Sequence, residues 1–218
     1  MTAKLLLVVL FLSSAIANAG ATKAGDGGHG VVCADLPPQL LDLYEAENVY
    51  GMSTFFPQDP PIDAFMTIFN ARMRVEAIMG KDHPSLAIFD QAFEFLLTKT
   101  LEPGAPVETM DAGLPPIRST CHLVQIARRE TGDLNFMLTV DSDYWQNASE
   151  EERAMLMIHE GAHAWFPTAE MTPLMPVSAL RQFVGLLHST LGGEPDSDAQ
   201  IRKLLITREP VMGFVLRR

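Results

Sequence analysis

The chain has little cysteine. Only Cys33 and Cys121 occur, and no C-x-x-C pair is present, which argues against a thiolate metal site as the reason for keeping them. Positive charge is also short. Sixteen Lys and Arg against 27 Asp and Glu leave a net charge of −11, a balance that argues against nucleic acid or an anionic membrane surface as partner and names no substrate. No apolar run reaches the length of a membrane span. The longest, residues 5–12, is too short, and nothing after it resembles one. Internal repeats and a second domain are likewise missing. What remains is a 218-residue chain, 47% apolar and 20% charged, which reads as one globular domain with a substantial core rather than a disordered segment.

The first 19 residues have the layout of a secretory signal peptide. Lys4 supplies the positive start, residues 5–12 the apolar stretch, and Ala17-Asn18-Ala19 a small-residue cleavage site, so cleavage is expected between Ala19 and Gly20. The residues before Cys33 do not form a lipoprotein-type cleavage box. The expectation is an exported protein, periplasmic or extracellular, with no stable membrane span once the signal is removed. In an oxidising compartment an even pair of cysteines implies a disulfide, here Cys33–Cys121. Closing a loop of that length stabilises the fold by roughly 4–5 kcal/mol in the chain-entropy picture. Residues 20–32 (GATKAGDGGHGVV) are glycine-rich and read as a flexible leader, with His29 as a solvated linker residue. The domain proper is then residues 33–218.

The most informative stretch is residues 148–166, ASEEERAMLMIHEGAHAWF. Ser149 followed by Glu152 forms a capping box, and Glu150, Glu151 and Glu152 sit where a helix dipole favours negative charge. No proline interrupts the run before Pro167, where a stop is expected. On that helix His159 and His163 lie one turn apart, beside Met155, Leu156, Ala162 and Phe166. Arg153, Glu160 and Gly161 fall off the apolar arc. The H-E-x-x-H spacing is the one in which two neutral imidazoles share a zinc ion, a third protein ligand and a water complete the tetrahedron, and the glutamate takes a proton from the water. The small Gly161-Ala162 pair lets a neighbouring element approach closely. Two hydrogen-bonded core histidines are the competing reading of the same five residues.

Elsewhere the pattern is mostly helical in the first half. Residues 40–49, entered through Pro37-Pro38, place Leu40, Leu41, Leu43, Tyr44 and Val49 inward and Asp42, Glu45 and Glu47 on a wet face. Residues 62–79 predict a helix with Phe65, Met66, Ile68, Phe69, Met73, Val75 and Ile78 apolar, Arg72 and Arg74 solvent-facing or ion-paired, and Gly80 as the stop. Residues 85–98 predict a third helix. Residues 101–116 hold enough proline and glycine to be a loop or a short edge strand. Residues 121–126 and 134–140 are β-like runs flanking a turn at Glu130-Thr131-Gly132-Asp133, with His122 on the surface or across a strand. Helices over 178–191 and 197–206 follow. The expected fold class is α+β: a mainly helical N-terminal half, a small antiparallel sheet, and the motif helix packed on it, with Phe65, Phe69, Phe93, Ile158 and Phe183 buried.

A hairpin, a strand ending near the helix, and a capped helix bearing H-E-x-x-H resemble the core of the minimal zincin metallopeptidases over residues 121–166. The chain is also similar to a group of uncharacterised secreted bacterial proteins. The residues that carry this are Val31-Val32-Cys33 after a glycine-rich start, Leu-Leu-Asp-Leu-Tyr-Glu at 40–45, Cys-x-Leu-Val-Gln at 121–125, and the His-Glu helix. The first resemblance implies a single zincin-like domain over 33–218, one Zn²⁺, His159 and His163 as ligands, Glu160 as general base, and a peptide or protein substrate. The metzincin continuation is absent, since Phe166 and Ala169 stand where its glycine and histidine belong. No glutamate lies on the helix over 178–191, so the third ligand is left between His188 and Glu170. The alternative to a zinc metallopeptidase is a non-catalytic exported envelope or interaction protein that keeps the scaffold. The sequence is silent on oligomeric state.

Overall fold

The computed structural model describes residues 28–34, 36–52, 62–104, 117–131, 136–163, 165–166, 178–189 and 195–206. The expected signal peptide with its Ala19–Gly20 junction, residues 20–27 of the expected leader, Glu170 and residues 207–218 lie outside the described residues. In chain order the elements are β1 (His29–Cys33), β2 (Leu36–Leu40), α1 (Leu41–Asn48), α2 (Ala64–Met79), a 3₁₀ turn (Pro84–Leu86), α3 (Ala87–Thr98), β3 (Thr100–Glu102), β4 (Cys121–Gln125), β5 (Ala127–Thr131), β6 (Phe136–Asp141), α4 (Ser142–Asn147), α5 (Glu150–Ala162), α6 (Ser178–Ser189) and α7 (Pro195–Ile206). The fold is α+β, with seven α-helices and two small sheets among the described residues. None of these helices is long and apolar enough to cross a membrane.

The strands differ from the single antiparallel sheet expected. One sheet has the order β2-β1-β4, antiparallel throughout; the other has the order β3-β6-β5, with β3 parallel and β5 antiparallel to β6. The chain changes sheets at Ile126, where the 121–126 run had been expected to continue into the hairpin. Ile126 and Ala127 both donate to the Gly28 carbonyl, at 3.0 and 3.1 Å, while the Ile126 carbonyl accepts from Asp141. One residue is thus claimed by both sheets, and its side chain is buried. Pro37 and Pro38 sit in β2, at the edge of its sheet, where a missing N–H breaks no ladder. Cys33 and Cys121 face each other in the β1–β4 register and are disulfide-bonded, closing 88 residues of chain.

Of the leader expected over residues 20–32, the described part begins at Gly28 and runs into strand β1. Gly28 is buried and His29 opens β1 with 8% exposure, which corrects the solvated-linker reading; β1 lies between β2 and β4 and carries these residues inside. Further expectations about burial are corrected, beginning with Val49, expected inward on α1 but 44% exposed just beyond its end. In α2 the inward stripe is Ala64, Thr67, Ile68, Ala71, Val75 and Ile78, and Phe65 and Phe69 stand 49% and 40% exposed. Smaller residues face inward because α2 lies against α3 and α5, and short side chains let helix backbones approach. Phe93 is partly buried and packs on the ring of Phe65, whereas Ile158 and Phe183 are fully buried as expected. Arg72 and Arg74 are ion-paired, to Glu76 and Asp198.

On α1 the expected wet face is largely dry. Asp42 and Glu45 are buried, and only Glu47 is partly exposed. Glu45 is paired with Arg181 of α6, itself buried. Removing one member of such a pair typically costs about 3–5 kcal/mol, because the other charge is left without compensation.

Helix α5 is buried on every side from Ala154 to Ala162. It touches α2, α3, α6 and β2, so no face is left for water. Glu160 and Gly161, expected off the apolar arc, are therefore inside as well. Gly161 is where α3 comes closest: a Cβ there would overlap the Ile88 carbonyl oxygen and stand 3.1 Å from the Ala92 nitrogen. Backbone atoms cannot rotate away as a side chain would. In an open helix Gly→Ala gains about 1 kcal/mol; here overpacking reverses the sign. Gly161→Ala is expected to lower unfolding stability by about 1–3 kcal/mol in urea titration with an unchanged slope. A stabilised variant would show that α3 and α5 do not meet this closely.

Candidate metal centre

Local sequence places the motif. Both arms of the capping box form: the Ser149 amide donates to Glu152 at 3.0 Å, and the Glu152 amide donates to the Ser149 hydroxyl at 3.1 Å. This starts α5 at Glu150 and carries the helix to His163, which caps its C-terminus. The rings of His159 and His163 stand edge to face, with centroids 4.9 Å apart, and their Nε2 atoms are 3.2 Å apart. Two nitrogens at zinc-ligand distance, separated by a tetrahedral angle, would be about 3.3–3.4 Å apart. The pair therefore fits the edge of a zinc tetrahedron with almost no movement. Without metal the same pair makes a ring-to-ring hydrogen bond.

The orientation of His159 is set from a distant part of the chain. Its Nδ1 is 2.8 Å from Oδ1 of Asp42, on α1, and neither residue is appreciably exposed. With a carboxylate there, Nδ1 carries the proton and Nε2 keeps its lone pair, the tautomer a metal ligand needs. Asp42 was missed in the sequence because helical spacing assigned it to solvent. The available signal is a lone acid between Leu41 and Leu43, with nothing to connect it to a histidine 117 residues later.

Glu160 has no exposed surface. Its Oε1 accepts from the Gly28 amide at 2.6 Å, while Oε2 has no hydrogen-bond partner among the described residues. A Cβ on Gly28 would press on Leu156 and lie 3.2 Å from Oε1, so close approach of the strand depends on glycine. Arg129 of β5 donates to the Glu160 backbone carbonyl at 3.4 Å. Burial raises the Glu160 carboxyl above its ordinary value, opposed by His159, Arg129 and the Gly28 amide and reinforced by Asp42. His163 is held well below an ordinary histidine, first by burial and then by the positive fields of Arg129, His159 and His29. It is accordingly neutral, the form that binds metal.

The ligand atoms of His159, Glu160 and His163 lie within 4.8 Å of one another. His188 is buried but stands elsewhere, with its Nε2 3.8 Å from Glu151 in the first turn of α5. Eight residues separate Glu151 from His159, about 12 Å along the helix axis. Glu170 is outside the described residues, and His122 is exposed on β4. Comparison of the chain with protein-family models, with curated proteins and with solved structures returns no match.

The contact from Asp42 has a measurable consequence. Asp42→Asn keeps the shape but removes the charge that would make His159 a better donor to a metal ion held here. Zinc affinity, measured by competition with a chromophoric chelator, is expected to fall roughly 10–100-fold. Unchanged affinity would reduce Asp42 to a packing residue.

Proposed function

We propose that the protein is an exported zinc-dependent hydrolase of the peptidase type, with His159 and His163 as metal ligands and Glu160 as general base. The observation that carries this reading is the pair of Nε2 atoms held 3.2 Å apart, one ring fixed from behind by Asp42. Imidazole ligands suit zinc, and zinc when bound brings the ionisation of water near neutral pH. The chain's own groups supply the rest. Asp42 fixes the tautomer of His159, and burial with the Arg129 field keeps His163 neutral. The Gly28 amide holds one oxygen of Glu160, leaving Oε2 as the proton acceptor. A carboxyl raised by burial is closer to the working range of a base near neutrality. Peptide as substrate, and export to the periplasm or beyond, follow from the zincin-like order of elements and the signal-peptide layout of residues 1–19.

One observation favours a second reading, a non-catalytic exported interaction protein. His159 and His163 are each 4% exposed and Glu160 is entirely buried, with half of its carboxylate engaged by backbone. Packing alone accounts for such a residue.

Metal analysis separates the two readings without a substrate. Wild-type protein is expected to bind one equivalent of zinc, and His159→Ala and His163→Ala to lose it. Glu160→Gln is expected to retain zinc while cleavage of a denatured protein substrate falls roughly 10²–10⁴-fold. Wild-type protein with neither bound zinc nor micromolar affinity for it leaves the interaction-protein reading standing.

A further inference from the structure

Resting on the metal-centre reading, we propose that the entry of β1 is an autoinhibitory latch: the Gly28 amide lies on the Glu160 carboxyl and swings away about Gly28 before metal and water reach the site. As it stands the motif is closed, with His159 and His163 buried and Glu160 wholly enclosed. Oε1 of Glu160 accepts from the Gly28 amide at 2.6 Å, and Oε2 is buried with no partner among the described residues. The ligand atoms of His159, Glu160 and His163 lie within 4.8 Å of one another, so whatever covers the Glu160 carboxyl also borders the metal position.

The two peptide groups that meet at Gly28 are held by different partners. The carbonyl of Gly28 accepts from Ile126 and Ala127 at 3.0 and 3.1 Å, which anchors the peptide on the β1 side. From His29 onward the chain runs in the β1–β4 ladder, closed at its far end by the Cys33–Cys121 bond. The amide belongs to the preceding peptide group, and its bond is to Glu160. Rotation about the N–Cα bond of Gly28 therefore lifts the amide off the carboxylate and leaves the carbonyl in place. Glycine serves both states. Without a Cβ, which would press on Leu156 and lie 3.2 Å from Oε1, the chain comes close enough to α5 to make the bond. With no Cβ it also turns through either sign of φ to break it. Opening gives up one hydrogen bond and takes no side chain of Gly28 out of the core, so it is a local event rather than an unfolding of β1. Closed, the latch occupies Oε1; open, it leaves both oxygens of Glu160 within reach of water.

The test uses the full exported chain. Gly28→Pro deletes the amide proton and keeps the carbonyl, so it opens the latch and spares the anchor. Zinc uptake, followed by stopped flow with a chromophoric indicator, is expected to be about 10–100-fold faster in this variant, as the loss of one hydrogen bond to a charged group allows. Uptake by Gly28→Pro alone supports the latch equally, the wild-type protein then being held closed. In the wild-type protein, hydrogen-exchange protection read by NMR is expected to be at least about tenfold lower at Gly28 than at Ile126 and Ala127, because the amide opens locally while the anchor stays. Equal uptake rates in the two proteins, or equal protection at the three amides, would overturn the latch and leave the metal centre standing. Should Gly28→Pro fail to fold by circular dichroism, the exchange measurement on wild-type protein decides. Zinc binding by neither folded protein overturns the metal centre, and the latch with it.

Discussion

Asp42 and His159 meet at 2.8 Å where neither has appreciable contact with water, and much of the molecule is arranged around that meeting. A buried carboxylate is tolerable only when a donor stands beside it. The donor here is on α5, so α1 has to dock on that helix. The Glu45–Arg181 pair fastens α1 to α6 at the same time. Two acids that would weaken an isolated amphipathic helix thus become its points of attachment. The buried ion pair adds little net stability against an apolar alternative, but it penalises any other docking of α1 by leaving a charge unmatched.

The enclosure of α5 follows from the same arrangement. Apolar neighbours on several sides and the glycine contact with α3 leave its polar residues nowhere to go but inward. Burial then sets their chemistry. It drives His163 towards the neutral form and Glu160 towards the protonated one. Arg129 works against the rise at Glu160 and with the fall at His163, so one cation favours both a neutral imidazole and an ionised carboxylate. A metal ligand and a proton acceptor need those two states.

The two sheets contribute through a single joint. Gly28, Ile126 and Asp141 are linked by backbone hydrogen bonds, and Gly28 also reaches Glu160. Strand β1 is thereby held to β4 by a disulfide, to the second sheet through Ile126, and to the motif helix through one amide. A segment that composition assigns to a linker becomes a wall of the site, because glycine, without a side chain, can lie against α5.

Local chemistry was legible in the sequence. Ser149 and Glu152 begin α5, the four-residue spacing stacks His159 on His163, the two cysteines pair, and Gly161 admits a neighbour; each depends on residues close in sequence or on a small set of candidates. Tertiary structure alone decided which polar residues are buried. Helical periodicity sees one apolar face, whereas α5 is packed on several and α1 buries its acids against partners more than 100 residues away. The same limit applies to Phe65 and Phe69, turned outward because short side chains take the interface. It applies also to the strands, where hydrogen bonding at Ile126 sends adjacent residues to different sheets. Periodicity reports a residue's preference for water. Its partner is settled only when the whole chain has packed.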